Sequence, residues 1–411
     1  MMYFCSMATL PGYSDIIRAQ LRLKGVIKET PLEHSKSFSA FSGSHVFMKL
    51  ENLQSTGSFK VRGAYNKLRC LSEKELASGV VCASAGNHAQ GVAYAAHLLR
   101  VKATVFMPIF TPPLKVIATK GYGAEVVLEG DTFDDAMAAT LKFSDKTGAT
   151  VVHAFDDPHI IAGQGTIGLE IFRANNDIQD VLVPLGGGGM IAGIAIALKE
   201  MNPDIRIIGV EAEGAQSAIG SLKKGRPVKL RSMQTIADGI AVKQPGELTF
   251  EAIRKHVDEI LVVNDSEIAH ATYLLLQRAK ILAEPAGVVA IAALLRHKAD
   301  FCGRNVVPVI SGGNINMGLL EQILEKGMME EGLRARIAVL IPDMAGELKS
   351  IITILERLRA NINEISHERS TTTVPVGFVL VTITFNLRES AQLDTICEAL
   401  KGKMKRFEVL K

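Results

Sequence analysis

The 411-residue chain reads as an open, mostly parallel α/β protein of two domains, followed by a smaller βαββαβ module. Three observations lead there. Short, continuously apolar runs bounded by Gly and Pro alternate with segments of helical periodicity from residue 45 to residue 327, the pattern of strands covered on both faces. The strand candidates are too many for one comfortable sheet, so two α/β domains are expected. The composition then shifts near residue 330, where the charged stretch EKGMMEEGLRAR, 325–336, reads as a linker or a solvated helix end.

Taken in order, residues 10–44 are helix-rich, with Ser14 and Asp15 placed to cap a helix over 16–24. Strands are predicted at 45–50, 80–83, 103–107, 125–128, 151–154, 181–185, 206–210, 260–263 and 306–310. Helices are predicted at 61–70, 88–100, 113–120, 132–147, 160–175, 190–201, 266–281, 285–298 and 317–327. After the charged stretch come strand 337–341, helix 347–359, strands 363–368 and 378–385, helix 390–403 and strand 407–410. That order is the ferredoxin-like split βαβ pattern, with none of the chemistry-bearing groups found upstream.

Composition removes several function classes. A net charge of +3 over this length gives no strong basic field, and there is no Trp, so neither nucleic acid nor an anionic membrane is implied. Cys5, Cys70, Cys82, Cys302 and Cys397 are odd in number and scattered, with no CxxC pair. They read as reduced, mostly buried thiols of a cytoplasmic protein. No histidine pair has ligand spacing, and residues 1–9 lack the basic flank and apolar core of a signal peptide. Residues 181–198 are 18 in number and uncharged, but four consecutive glycines and a proline make them a poor membrane span.

The chemistry gathers in four loops, each joining a strand end to a helix, where open α/β sheets bind ligands. The first is ENLQSTGSFKVRGA, 51–64, with Lys60 at a helix mouth. Taken alone, Lys60 is read first as a solvated helix-start lysine, the case for most lysines so placed, and second as a nucleophilic amine beside an anion site. The second is SAGNHAQG, 84–91, in which Ser84 and Asn87 are good helix-start residues whatever the function, and also a cradle for a carboxylate. The third is PLGGGGM, 184–190. It is neither a P-loop nor a spaced GxGxxG, but glycines between a buried strand and a helix let backbone N–H groups converge on a phosphate. The fourth is SGGN, 311–314: either a turn with a cap or a hydroxyl aimed at a ring nitrogen. A nucleophilic lysine, a phosphate cradle, a carboxylate cradle and a hydroxyl together describe a pyridoxal 5'-phosphate site.

The segments SFKVRGA, SAGNHAQG, GGGGMIAG and SGGN closely resemble the threonine dehydratase and serine racemase group of fold-type II pyridoxal phosphate enzymes, in the right order over residues 10–328. The resemblance implies the tryptophan synthase β-like fold. Residues 1–53 and 156–328 would form the large, cofactor-binding domain and 54–155 the small one. It makes Lys60 the Schiff-base lysine and sets Phe59 beside the cofactor ring. Asn87 would bond the phenolic oxygen, Gly186, Gly187, Gly188, Gly189 and Met190 the phosphate, and Ser311 the ring nitrogen. Ser84, Ala85, Gly86, Asn87 and His88 would hold the substrate carboxylate. ADGIAV, 237–242, and Glu284 match stretches that line the family's pocket.

Two residues choose within the group. An aspartate commonly follows the lysine in O-acetylserine sulfhydrylases and threonine synthases, whereas this chain has Val61. In serine racemases a second serine, the acid/base of the far face, stands where this chain has Ala85. The implied reaction is therefore elimination: L-threonine to 2-oxobutanoate and ammonia, with L-serine to pyruvate as a side activity. Serine racemase or serine dehydratase is the rival within the class. A non-catalytic amino-acid sensor or a nucleotide-binding domain is the rival outside it. The racemase cation site is partly matched, by Glu211 and Ala215, but Ser217 replaces its second carboxylate. Residues 329–411 resemble a linker and an ACT domain through IPDMAGEL, 341–348. This makes Asp343, Gly346 and Leu348 candidate effector contacts for an amino acid such as isoleucine or valine, with a nucleotide site elsewhere as the alternative. A homodimer or homotetramer is expected.

Overall fold

A computed structural model describes residues 9–369, 374–402, 404 and 406–410. Cys5, nearly all of the opening segment and Lys403 lie outside the described residues. Contacts divide the chain into two compact units, Met1–Asn316 and Met317–Lys411.

The strands of the first unit are β1 (Leu32–His34), β2 (His45–Leu50), β3 (Val80–Ala83), β4 (Ala103–Met107), β5 (Glu125–Leu128), β6 (Thr150–Val151), β7 (Asp180–Pro184), β8 (Arg206–Ala212), β9 (Glu259–Val263) and β10 (Asn305–Ile310). They form a six-stranded sheet in the order β1-β2-β10-β7-β8-β9 and a four-stranded sheet in the order β5-β4-β3-β6. Every pairing is parallel except β1 with β2. The parallel strands were predictable because helices cover both faces: β3, β4 and β7 are buried at every position. The small sheet has its own core, in which Val80, Cys82, Val105 and Met107 pack against Tyr65, Leu68, Val92 and Ala96.

Several elements depart from the sequence reading. Strand β1 was not predicted, since three residues, of which Glu33 and His34 are exposed, carry no apolar run. β6 stops at Val151 because His153 Nδ1 accepts from the N–H groups of Phe155 and Asp156 (3.2 and 2.7 Å) and turns the chain. The first helix begins at Tyr13 after Gly12; Asp15 reaches back to Gly12 N (2.9 Å) from inside the first turn, and Ser14 is no cap. Helices Glu73–Ser78, Ser217–Lys224 and Glu247–His256 were also missed. Of the four described cysteines, all free thiols, only Cys82 is buried and Cys302 is exposed, which corrects the expectation of mostly buried ones.

The second unit begins at Met317, upstream of the expected linker. Of the two readings of the charged stretch, the helix end fits: it ends the helix Met317–Glu330 and starts β11 (Arg334–Pro342). Ile323 and Gly327 of that helix are buried, and Arg336 Nη2 donates to Glu325 (2.8 Å). With β12 (Asn361–Glu368), β13 (Phe378–Asn386) and β14 (Phe407–Leu410), β11 builds an antiparallel sheet in the order β12-β13-β11-β14. Alternate residues of β11 are buried. Ile337 and Val339 pack with Ile351 and Leu355 of helix Glu347–Arg357 and Ile396 of helix Ala391–Lys401.

Candidate active site

Strand order places the four loops side by side. β10 lies between β2 and β7, so the segment after Ile310 runs between the Lys60 loop and the glycine turn. Phe59 N donates to Ser311 O (3.2 Å), and Ser58 and Gly312 form an isolated antiparallel bridge. The loop after β3 approaches from the small sheet. All four line one cavity of about 520 Å³, which Phe59, Lys60, Ser84, Ala85, Gly86, Asn87, His88, Gly186, Gly187, Gly188, Gly189, Met190, Glu284 and Ser311 share.

Lys60 is the first residue of helix Lys60–Arg69. Its Nζ donates to Ala154 O (3.1 Å) and lies 5.1 Å from the Phe59 ring centroid. Burial pushes the Lys60 amine down to about 8, with Glu284 acting the other way. Nearby His88 is buried and its Nε2 contacts Val152 O (2.9 Å); burial, and then Lys60, bring it down to about 3, so it stays neutral. The neutral, reactive form of Lys60 therefore predominates above about pH 8 and falls about tenfold per unit below it. Acylation of Lys60 in cofactor-free protein, followed by peptide mapping, is expected to plateau near that pH; a plateau above pH 10 would show an ordinary solvated amine.

The glycine turn is a cradle with no room for side chains. Gly188 has φ +90°, a left-handed conformation suited to glycine. A Cβ at Gly187 would lie 2.2 Å from the Phe155 ring. Thr249 Oγ1 anchors the turn by donating to Gly187 O (2.7 Å), and helix Gly189–Met201 starts directly from it. The first N–H groups of that helix lack intrahelical partners, an anion site made by the backbone.

Below the cavity lies a buried ionic network that holds the helix of Lys60. Arg62 Nε and Nη2 donate to the two oxygens of Glu51 (both 2.8 Å), and Nη2 also reaches Glu170 Oε2 (2.8 Å). Lys49 pairs with Glu170 as well. Burial alone would raise the Glu51 carboxyl, but the Arg62 guanidinium outweighs it and holds Glu51 below the usual range. At the rim, Lys115 meets Asp238 (2.9 Å), and Asp134 meets Lys229 (3.1 Å) and Lys243 (3.2 Å).

The chain matches the family described as "Pyridoxal-phosphate dependent enzyme" over residues 23–312. The chain belongs to that family. It is 47% identical over 389 residues to an L-threonine ammonia-lyase of Thermotoga maritima, covering 95% of this chain and 97% of the relative. The processed form of threonine deaminase isoform 2 from Solanum lycopersicum superposes with a TM-score of 0.73 at 38% identity, over 79% of this chain and 92% of that one. Maize serine racemase gives the same TM-score at 34% identity, over 78% and 98%.

The residues present fit pyridoxal phosphate, the family's cofactor. An amine with a depressed pKa, a side-chain-free turn at a helix start and the Ser311 hydroxyl face one cavity, offering partners for an aldehyde, a phosphate and a ring nitrogen. Sequence reasoning missed Phe155, Gln164 and Asn314, which also line the cavity. Asn314 stood in the SGGN segment without a role; Phe155 follows the predicted strand 151–154, the available signal; Gln164 lies inside a helix and had none.

Asp238 to Val242 of the predicted ADGIAV stretch also line the cavity, whereas the predicted cation and effector residues lie elsewhere. Glu211 accepts from the N–H groups of Ala218 (2.7 Å) and Ile219 (3.0 Å), capping helix Ser217–Lys224, and burial pushes it up to about 7. Ala215 precedes that helix, which Ser217 begins, and both are buried. In the second unit Asp343 pairs with Arg369 (2.8 Å), Gly346 sits at φ +100° before helix Glu347–Arg357, and Leu348 packs on the core. Among the described residues, no helix is long and apolar enough to cross a membrane.

Proposed function

We propose that this protein is a threonine ammonia-lyase, converting L-threonine to 2-oxobutanoate and ammonia with L-serine as a secondary substrate. The observation that carries the reading is the convergence of four strand-end loops on the cavity floored by Lys60. The 47% identity to an L-threonine ammonia-lyase over nearly the full chain supports the choice of substrate.

In this reading Gly186 to Met190 receive the phosphate, Ser311 the ring nitrogen, Asn87 the phenolic oxygen and Phe59 one face of the ring. When bound, the cofactor supplies an electron sink for charge developing at the substrate α-carbon. Ser84 to His88 hold the substrate carboxylate at the start of helix Asn87–Leu99. Lys60 Nζ, whose amine burial brings down to about 8 so that its neutral form is within reach, takes the α-proton from one face. Ser311 offers the ring nitrogen a hydroxyl and not a carboxylate, so the chain does not stabilise a proton there. Loss of the β-hydroxyl then outpaces return of a proton to the α-carbon.

Ala85 cannot deliver a proton to the opposite face, which separates this reading from a serine racemase. Incubation with L-serine is expected to yield pyruvate without D-serine by chiral chromatography; D-serine formed at a rate comparable to pyruvate would overturn it. The βαββαβ unit is read as an ACT-type module at which Asp343, Gly346 and Leu348 meet an amino-acid effector. The working form is read as a cytoplasmic homodimer or homotetramer, with residues 1–53 and 156–328 as the large catalytic domain and 54–155 as the small one.

A further inference from the structure

The SGGN segment gives the proposed ring contact only Ser311, yet its other residues are as closely fitted. Asn314 Nδ2 donates to Asn87 Oδ1 (2.8 Å) and to Thr56 O (2.9 Å). Asn87 Nδ2 donates in turn to Glu284 Oε1 (2.6 Å). Glu284 is buried, and its own N–H donates to Gly312 O (3.0 Å). Gly312 makes room for this arrangement: a Cβ there would stand 2.4 Å from Glu284 Oε1 and 3.2 Å from Asn87 Nδ2.

An asparagine amide has two donors on nitrogen and an acceptor oxygen. Here Asn314 occupies the oxygen and Glu284 one of the donors. Turning the amide over would set the Asn87 nitrogen against the Asn314 nitrogen, donor against donor, so the orientation is fixed from both sides. One N–H of Asn87 is left for the cavity that this residue lines.

We propose that Asn314 and Glu284 are positioning residues that lock the Asn87 amide, so that its remaining N–H is presented to the cofactor's phenolic oxygen. The proposal rests on the cofactor reading above, and it accounts for the whole S-G-G-N segment except Gly313.

The test uses full-length protein stripped of cofactor, titrated with pyridoxal phosphate by absorbance, with the bound spectrum followed against pH. Asn314→Ala and Glu284→Ala are each expected to weaken binding about tenfold and to shift the visible bands in the direction that Asn87→Ala does. In the Asn87→Ala background each is expected to add less than about twofold, because the interaction it serves is already gone. Glu284→Gln keeps an acceptor oxygen and is expected to stay within about twofold of wild type. The full effect persisting in the Asn87→Ala background would overturn the proposal, since general loosening of the loop would act independently of Asn87. Glu284→Gln as weak as Glu284→Ala, or Ala variants with wild-type affinity and spectrum, would also overturn it. Wild-type protein that binds no pyridoxal phosphate would overturn the cofactor reading itself, an outcome visible before any variant is compared.

Discussion

Lys60→Ala is expected to lower turnover of L-threonine by about 10³- to 10⁴-fold, because one substitution removes both the covalent anchor and the general base. The fold should survive it. Among the described residues, Lys60 Nζ makes one hydrogen bond, to Ala154 O at 3.1 Å, and a cation–π contact at 5.1 Å, set against the cost of holding an amine in a desolvated site. Net loss of one such bond costs about 1 kcal/mol. The variant should therefore unfold within about 1 kcal/mol of wild type in urea while losing the lysine-linked visible band. Turnover within tenfold of wild type would remove Lys60 from its role.

Arg62→Ala is expected to lower stability by about 3–5 kcal/mol. Arg62 is fully buried between Glu51 and Glu170, and its removal leaves two buried carboxylates with Lys49 as their remaining cation in the network. Arg18→Ala is the natural control. The Arg18–Asp15 pair is exposed on both sides (56% and 42%), and such pairs contribute about 0–1 kcal/mol. Urea midpoints that fall equally for the two variants would contradict a specific role for the network. The sign of the pH dependence follows from Glu51, whose carboxyl is held below its ordinary range. Its contribution is present above the unfolded carboxylate range and is lost as pH falls through the lower folded value. Because Arg62 stands two residues after Lys60 on one helix, the same variant should also weaken cofactor retention.

The parallel sheets were legible because a strand buried on both faces must be apolar throughout, and Gly or Pro marks each end. β3 and β4 carry that mark plainly, and their bounds, like those of β2 and the less buried β5, agree with the reading. β1 has no such signature, being short and largely exposed. Helix Glu247–His256 was hidden because its start depends on a distant carboxylate: Asp156 accepts from Glu247, Leu248 and Thr249 N–H groups (3.0, 3.0 and 3.2 Å). A side-chain cap from ninety residues away leaves no local trace.

The candidate site divides in the same way. The glycine turn and Ser311 were readable because each lies directly beyond a strand end, where chain direction determines placement, and Lys60 because it opens the helix that follows β2. The residues that hold them were not. Arg62, Glu51 and Glu170 are charged and carry no local signal of burial, and only tertiary contact reveals them as a buried network. Asn314 and Glu284 are likewise polar residues whose shared partner, Asn87, is remote in sequence. Second partners of this kind depend on long-range geometry, to which local periodicity is blind.

The measurement that bears most directly on the central claim is product analysis with the full-length protein saturated with pyridoxal phosphate and given L-threonine. The account predicts 2-oxobutanoate and ammonia in equal amounts, formed by wild type and not by Lys60→Ala. Absence of the keto acid, or its formation at an equal rate by Lys60→Ala, would contradict it.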